Sequence, residues 1–233
     1  GNSRRRAQMF IERQMPSGSD GLILDVGCGT GGNLEFLTRW GRGVGVDLSP
    51  LALDFARRRE LPRLIQGSGV ALPFPDNQFS LVTAFDVLYH RWITDDSCAL
   101  CECYRVLRPG GWLLLTDSAL PVLWSRHDEI YYARQRYTLG DMRHKLCKAG
   151  FKLRKLSYTN TLLLPVAMAV RLLNIRSLLA RWFPSGDDSD LMPLPGWLNR
   201  ALIGILSLEA WWLRWGTFPV GSSLIGLAQK PKE

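Results

Sequence analysis

The chain has 233 residues, 46% of them hydrophobic, which is enough to bury one full core with an addition. Its formal net charge is +8, but the arginines are scattered and no RNA-binding module is visible, so a nucleic-acid partner is not expected. No uncharged apolar stretch of 18 residues occurs, and no apolar run follows the arginines at 4–6, which argues against a membrane span and a signal peptide. We therefore expect a single cytoplasmic domain over residues 1–233, and nothing in the sequence indicates its oligomeric state.

The first predicted elements are a helix, a buried strand and a glycine-rich turn. The helix covers about residues 3–15, within an N-terminal segment (1–20) that we expect to cap a ligand cleft. The strand covers 22–24, and the turn at 25–33 leads into a second helix beginning at Leu34. Glycines at such a turn let the backbone approach a ligand closely, and the helix N-terminus beyond it attracts an anionic or carboxylate-bearing group.

A matching acid follows the second predicted strand, 44–46. Asp47 lies twenty positions after Gly27, the separation at which a βαβ unit places a carboxylate over a ribose diol. Ser49 and Pro50 then predict the cap and first residue of a helix over 51–60. Together these features predict a nucleoside cofactor site.

The same glycines leave an alternative open. Gly27, Gly29 and Gly32 also satisfy the dinucleotide fingerprint, which is a weak signal by itself. Asp25 lies inside the turn, where its charge would repel a pyrophosphate but suit an α-amino group. The turn therefore favours a cofactor that carries an amino group.

The rest of the chain continues the alternation of strands and helices that a doubly wound parallel sheet requires. A fourth strand is predicted over 81–84, a helix over 95–106 and a fifth strand over 112–116. Thr138 begins a helix that Gly150 ends, and strands six and seven are predicted over 151–158 and 222–228.

With these segments in place, the chain resembles the class I S-adenosylmethionine-dependent methyltransferases of the small-molecule type. The resemblance covers about 21–158 and resumes near 222. It rests on four features, which are Asp-x-Gly-x-Gly-x-Gly at 25–31, the acid at position 47, Ala-Leu-Pro-Phe-Pro-Asp at 71–76 and Arg-Val-Leu-Arg-Pro-Gly-Gly at 105–111. It implies an α/β fold with a seven-stranded, mostly parallel sheet whose last strand is antiparallel. It also implies S-adenosylmethionine as cofactor and S-adenosylhomocysteine as product.

The resemblance also implies roles for individual residues. Asp25 would meet the cofactor's amino group, Asp47 would hold the ribose, and Leu48 would pack on the adenine. The family often has an acid where this chain has Ser68 and Gly69, so a hydroxyl or a backbone carbonyl would substitute for it. The predicted cofactor-binding residues are Asp25, Gly27, Gly29, Thr30, Gly31, Asp47, Leu48, Ser68, Gly69 and Asp86.

Candidate acceptor residues follow strands four and five, because active residues of open α/β sheets lie beyond the carboxyl ends of the strands. A carbon or weakly acidic oxygen acceptor would need a base near the methyl group. His127 is the first candidate for that base and His90 the second, although each also fits a plain surface position. The predicted acceptor-binding residues are Tyr89, Asp117, Tyr131, Arg136 and Tyr137.

Three of the five cysteines, at 98, 101 and 103, fall on one predicted helix. A metal site needs a fourth ligand and usually a loop, so we expect small buried residues and no metal.

Residues 160–221 form a helical insertion between predicted strands six and seven, with five of the nine tryptophans. Two apolar helices are predicted in it, over 161–183 and 197–215. Three interpretations are compatible with each other: extra core, a hydrophobic lid over the acceptor, or a surface whose tryptophans and arginines lie at lipid headgroups. The last one predicts peripheral contact with a membrane.

These observations predict methyl transfer to a small, hydrophobic or lipid-linked acceptor. Two alternatives remain. An NAD(P)-dependent oxidoreductase would use the same glycine-rich loop. A catalytically idle nucleoside-binding module would keep Asp25 and Asp47 without an organised acceptor pocket.

Overall fold

The computed structural model describes residues 2–14, 20–61, 63–165, 168 and 196–232, with residues 2–5, 127, 197 and 198 described by their backbone alone. In chain order its elements are α1 (Asn2–Glu12), β1 (Leu22–Val26), α2 (Gly32–Leu37), β2 (Arg42–Asp47), α3 (Pro50–Arg57), β3 (Leu64–Gln66), β4 (Phe79–Phe85), α4 (Asp96–Val106), β5 (Leu107–Ser118), a 3₁₀ turn (Pro121–Leu123), α5 (Arg126–Ile130), α6 (Leu139–Lys148), β6 (Lys152–Thr159), α7 (Gly196–Trp212) and β7 (Ser223–Gln229).

The strands form one seven-stranded sheet in the order β3-β2-β1-β4-β5-β7-β6. Strands β1 to β5 pair in parallel, and β7 is antiparallel to both β5 and β6. The predicted α/β fold with an antiparallel last strand is therefore confirmed. The strand order reverses between β1 and β4, and in open α/β sheets the crevice at such a reversal holds the ligand.

The predicted helix starts are confirmed by their caps. The Ser49 hydroxyl accepts a hydrogen bond from the Ala52 N–H, and Asp95 accepts from the first N–H groups of α4. Thr138 and Asp141 form a reciprocal capping box at α6. Each cap satisfies backbone donors that the first turn of a helix leaves unpaired.

Side chains alternate between the two faces of the central strands. On β4, Val82 belongs to a core cluster that includes residues of α4 and α6, whereas Leu81 belongs to a second cluster with residues of α1 and α2. Phe10 of α1 and Leu213, directly after α7, both lie in this second cluster. Helices α1 and α7 therefore cover the same face of the sheet.

The structure corrects one prediction about the cysteines. Cys103 is buried, but Cys98 and Cys101 are exposed. The two exposed residues are three positions apart on α4 and share its outer face.

Much of the predicted first insertion helix, 161–183, lies outside the described residues. The second one is present as α7 and ends at Trp212. Within the described part of the chain, none of the helices combines the length and the apolar character that crossing a bilayer requires.

Candidate active site

A cavity of about 340 Å³ opens where the strand order reverses, beyond the carboxyl ends of β1, β2 and β4. Seven of the ten predicted cofactor residues line it: Gly27, Gly29, Asp47, Leu48, Ser68, Gly69 and Asp86. The topology brings these residues together from four separate parts of the chain.

The glycine turn forms one wall of the cavity through backbone that most side chains would not permit. Gly27 has a φ of +66° and Gly29 a φ of +53°, both in the left-handed region. A Cβ on Gly27 would lie 2.5 Å from Val87 Cγ2, whereas a Cβ on Gly29 would have no neighbour within 4 Å. At position 27, a side chain would both overlap Val87 and strain the left-handed backbone. At position 29, only the left-handed backbone favours glycine.

Asp47 joins the turn to the start of α3. Its Oδ2 accepts a hydrogen bond from the Gly29 N–H at 2.8 Å, and its Oδ1 accepts from the Ser49 N–H at 2.8 Å. Each carboxylate oxygen can accept a further hydrogen bond, so the group remains able to receive both hydroxyls of a ribose.

Asp25 lies within β1 and is not among the residues that line the cavity. It is buried, its Oδ1 accepts a hydrogen bond from the Thr83 hydroxyl at 2.7 Å, and its Oδ2 has no hydrogen-bond partner among the described residues. This burial raises the pKa of Asp25 to about 7. Its predicted contact with a cofactor amino group stays a prediction.

Thr30 and Gly31 also lie outside the cavity lining. Gly31 is the N-cap of α2 in left-handed conformation, and a Cβ there would lie 2.3 Å from Leu61 Cδ1. Its glycine serves the packing of the turn on the end of α3, and the Thr30 side chain faces solvent.

Asp86 follows β4 directly, with a φ of +58°, and lines the cavity. Solvent reaches its side chain through the cavity, but protein surrounds the carboxyl group on most sides, and this desolvation raises the pKa of Asp86. The charge of Arg6 and a hydrogen bond from Thr116 act in the opposite direction. The left-handed backbone at this position turns the acid into the site.

His90 lies on the cavity wall beside Trp92. The Trp92 N–H donates to His90 Nδ1 at 3.3 Å, so the neutral ring carries its proton on Nε2. Desolvation and the charge of Arg91 lower the pKa of His90. In this tautomer Nδ1 is already engaged and Nε2 carries a proton, and the predicted role of His90 as a general base stays a prediction.

Trp92 and Ile93 are among several apolar residues that line the cavity and were not predicted from the sequence. The Trp92 ring is 4.6 Å from the His90 ring and lies nearly parallel to Tyr132, with the ring centroids 6.5 Å apart. An aromatic residue two positions after a candidate site histidine was the available signal.

Tyr89 directly precedes His90 of the cavity lining but is not itself a lining residue, and its predicted contact with the acceptor stays a prediction. It is half-buried near Asp86, Asp117 and Asp128, and burial is the largest cause that raises its pKa, to about 12. The Tyr89 hydroxyl is therefore protonated at neutral pH and suited to donate a hydrogen bond.

Three other predicted acceptor residues, Asp117, Arg136 and Tyr137, instead make hydrogen bonds within the protein interior. Asp117 is fully buried and accepts hydrogen bonds from the N–H groups of Leu88, Tyr89 and Ser118. Arg136 is buried in an ion pair with Asp128, 2.7 Å between nitrogen and oxygen, and also donates to the Ala119 carbonyl. These polar atoms are engaged inside the protein, which corrects both predictions.

Tyr137 is buried as well, and its hydroxyl lies within hydrogen-bond distance of the Leu88 carbonyl and of Asp96 Oδ2. Tyr131 is exposed, with 53% of its surface accessible. The side chain of His127 lies outside the described residues, so its predicted role stays a prediction.

The chemistry of the lining distinguishes between cofactors. It contains two carboxylates, Asp47 and Asp86, and neither lysine nor arginine occurs among the residues that line this cavity. A pyrophosphate would meet negative charge without a compensating cation, whereas a ligand that carries cationic groups would be attracted. The apolar residues Leu48, Trp92 and Ile93 suit the faces of a nucleobase. The residues present therefore fit a cationic nucleoside better than a dinucleotide.

Comparison with known proteins finds a family match for the central segment of the chain. Residues 24–115 match the family model described as "Methyltransferase domain". The match makes this segment similar to the methyltransferase domain family, and it covers less than half of the chain. It contains the glycine turn, Asp47 and Asp86, and so includes most of the cavity lining.

Two curated relatives cover part of the chain. The fatty-acid O-methyltransferase of Mycolicibacterium smegmatis is 39% identical over 104 residues, 41% of this chain and 36% of the relative. The malonyl-[acyl-carrier protein] O-methyltransferase of Serratia marcescens is 37% identical over 99 residues, 42% of this chain and 38% of the relative. The aligned part thus spans well under half of either relative.

The fold is shared over nearly the whole chain with solved structures. The Haloferax volcanii protein solved in complex with the Trm112 methyltransferase activator superposes with a TM-score of 0.64. The alignment covers 97% of this chain and 89% of that one at 23% identity. The shared fold therefore extends beyond the matched segment.

Proposed function

We propose that this protein is an S-adenosylmethionine-dependent methyltransferase. The observation that carries the proposal is the cavity lining, with two carboxylates and no basic side chain beside a glycine turn. S-adenosylmethionine carries a sulfonium and an ammonium group, and charge-assisted hydrogen bonds to carboxylates suit such a ligand. The methyltransferase domain match over 24–115 supports it.

In this proposal the chain's own residues bind and orient the cofactor, which supplies a methyl group on a cationic sulfur. Asp47 holds the ribose hydroxyls, and Leu48, Trp92 and Ile93 contact the adenine. The amino group is assigned to Asp86, which lines the cavity, with the buried Asp25 as the second carboxyl predicted to meet it. Because methyl transfer is an in-line displacement, most of the protein's contribution is alignment of the two reactants.

Tyr89 is our candidate for orienting the acceptor. Its hydroxyl is a donor at neutral pH and lies near Asp86, at the end of the cavity assigned to the amino group. His127 remains the proposed base for an acceptor that must lose a proton. An acceptor that is already ionised, such as a carboxylate, would need no base.

We further propose a small hydrophobic or lipid-linked acceptor. The names of the two relatives, a fatty-acid and a malonyl-[acyl-carrier protein] O-methyltransferase, support this class. We also propose that the chain is a single domain in which residues 1–20 form a cap and 160–221 a lid over such an acceptor. The packing of α1 against α7 on one face of the sheet supports this organisation.

The proposal is tested by incubating the protein with S-adenosylmethionine labelled at the methyl group and a panel of fatty acids and acyl thioesters. Label should pass into the organic phase with the native chain and not with Asp47→Ala. If S-adenosylhomocysteine binds but no member of a broad acceptor panel is methylated, the idle binding module becomes the better description.

Peripheral membrane contact is a second proposal. Trp211, Trp212 and Trp215 are exposed around the end of α7, with 57%, 49% and 77% of their surfaces accessible. Arg214, directly after the helix, is also exposed, as is Arg200 near its start. Tryptophan and arginine side chains favour the headgroup region, and basic residues are attracted to anionic lipid.

Sedimentation with vesicles that contain phosphatidylglycerol tests this second proposal. The protein should pellet with the vesicles at low salt and be released at high salt, because the arginine contribution is screened. A Trp211→Ser/Trp215→Ser variant should lose binding, whereas Trp92→Ser, remote in sequence, serves as the matched control. Equal pelleting of both variants would contradict a role for the α7 tryptophans.

A further inference from the structure

The part of the cavity wall formed by residues 90–93 is held from outside by a second segment of the chain. Three residues of this wall segment, His90, Trp92 and Ile93, line the cavity, and a Cβ on Gly69 across from them would lie 3.0 Å from Ile93 Cδ1. The second segment, residues 132–134, follows α5 and is not part of the cavity lining. The wall segment therefore lies between the cavity and residues 132–134.

Backbone hydrogen bonds join the two segments. The Arg91 N–H donates to the Tyr132 carbonyl at 2.9 Å, and the Arg134 N–H donates to the Tyr89 carbonyl at 2.7 Å. Nη1 of Arg134 also donates to the Thr94 carbonyl at 2.7 Å. Because Tyr89 and Thr94 flank the wall segment, these bonds fix its backbone relative to residues 132–134.

The Tyr132 ring contacts two side chains of the wall segment. It lies nearly parallel to the Trp92 ring, with an interplanar angle of 17° and 6.5 Å between the centroids, which is within the range of offset stacking. The guanidinium carbon of Arg91 lies 3.9 Å from the centroid of the Tyr132 ring, close enough for a cation–π interaction. Trp92 and Tyr132 are each 46% exposed, so their contact supplies restraint that the protein interior does not.

The backbone of Tyr132 is also unusual. Its φ is +55°, a left-handed conformation that a bulky residue rarely adopts. Such a conformation costs free energy and persists only where the surrounding contacts determine it. Here those contacts are the stacking on Trp92, the guanidinium of Arg91 and the hydrogen bond from the Arg91 N–H, all made with the wall segment.

We propose that Tyr132 is a positioning residue that holds the Trp92 ring at the cavity, and that Arg91 fixes the Tyr132 ring in turn. Tyr132 thereby influences the binding of a ligand that it does not touch. The consequence for binding rests on the proposed function, in which Trp92 contacts the adenine of the cofactor.

The direct test measures the mobility of the Trp92 indole N–H by ¹⁵N NMR relaxation in the protein without added ligand. The absence of its resonance in Trp92→Phe assigns it. Asparagine tolerates positive φ, so Tyr132→Asn removes the ring without adding backbone strain. This variant should lower the order parameter of the indole N–H below about 0.6, whereas Tyr132→Phe should keep the native value.

A second variant, Arg91→Met, leaves both rings in place and should lower the order parameter in the same direction. An order parameter that is unchanged in either Tyr132→Asn or Arg91→Met, or equally lowered in Tyr132→Phe, would overturn the proposal.

Calorimetry with S-adenosylhomocysteine then tests the consequence for binding. Tyr132→Asn should bind about fivefold more weakly than the native chain, as expected for the loss of one aromatic pair, and Tyr132→Phe should bind within about twofold of it. In a Trp92→Leu background, Tyr132→Asn should cause no further loss, because the two residues act through one contact. Trp124→Ser removes another exposed aromatic ring and serves as the matched control, which should bind normally.

The same loss in the Trp92→Leu background, or an equal loss in Trp124→Ser, would contradict the proposal. Absence of any S-adenosylhomocysteine binding by the native chain would refute the proposed function, and the NMR result would still decide the role of Tyr132.

Discussion

The acid that ends β2 also fixes the turn that follows β1, since Asp47 Oδ2 accepts a hydrogen bond from the Gly29 N–H at 2.8 Å. One side chain therefore shapes the cavity wall and offers its remaining acceptor capacity to a ligand. This relationship explains why the motif and the acid occur together in the chain.

Replacing Asp47 by alanine should weaken S-adenosylhomocysteine binding by roughly 2–3 kcal/mol, because charge-assisted hydrogen bonds to the ligand and the brace on Gly29 are lost. Asp54→Ala, at an exposed position of α3, is the matched control and should bind normally. Calorimetry measures both. Affinity of the Asp47 variant within threefold of native would rule out the ribose assignment.

Alanine at the two turn glycines should have unequal effects on stability. Gly27→Ala places a Cβ 2.5 Å from Val87 Cγ2, and we expect a loss of about 2–4 kcal/mol from strain and overlap together. Gly29→Ala meets no neighbour within 4 Å and should cost about 1–2 kcal/mol. Denaturant unfolding measures both. If the overlap with Val87 contributes, the Gly27→Ala/Val87→Ala double variant should lose less stability than the sum of the two single losses. Losses that add exactly would show that the overlap does not contribute.

Asp25 should make stability depend on pH. Its pKa is raised from the ordinary 3.8 to about 7 by burial, so its neutral form stabilises the fold below pH 3.8 and this contribution is lost as the pH rises through 7. Asp25→Asn cannot ionise. Its stability relative to the native chain should therefore increase by up to roughly 4 kcal/mol between pH 4 and 7.5. A difference in unfolding free energy that is constant over this range would show that Asp25 has an ordinary pKa.

His90→Ala should reduce turnover less than tenfold, because His90 Nδ1 is engaged by the Trp92 N–H and the ring is not arranged as a base. Initial rates at saturating S-adenosylmethionine measure this. A loss of a hundredfold or more would restore His90 as the base.

His127→Ala should cut turnover about 10²–10⁴-fold if this residue removes the acceptor proton, while S-adenosylhomocysteine affinity stays intact. Near-normal turnover would indicate an acceptor that arrives already ionised.

Local patterns predicted the parts of the fold that local forces determine. The glycine turn, the acid twenty residues later and the helix caps at Ser49 and Thr138 each depend on a few neighbouring residues, and all lie where the sequence predicted them. The alternation of strands and helices then predicted a doubly wound parallel sheet, and the family resemblance implied its seven strands and antiparallel last strand.

The direction in which a polar side chain points was harder to predict. Asp117 and Arg136 follow the expected strands, but both satisfy buried hydrogen-bonding groups that become neighbours only in the folded chain. The buried ion pair of Arg6 with Glu209 joins residues about two hundred positions apart, for which no local pattern exists. Sequence position located the site, and tertiary contacts decided which of its polar residues are available.

The central claim is that the cavity binds a nucleoside that carries an ammonium group, and calorimetric titration of the native chain with S-adenosylhomocysteine, which has that group, and, separately, with NAD⁺ tests it most directly. We predict saturable one-to-one binding of S-adenosylhomocysteine and no measurable binding of NAD⁺, because Asp47 and Asp86 line the cavity without a basic side chain among its lining residues. Binding of NAD⁺ with no binding of S-adenosylhomocysteine would contradict the account.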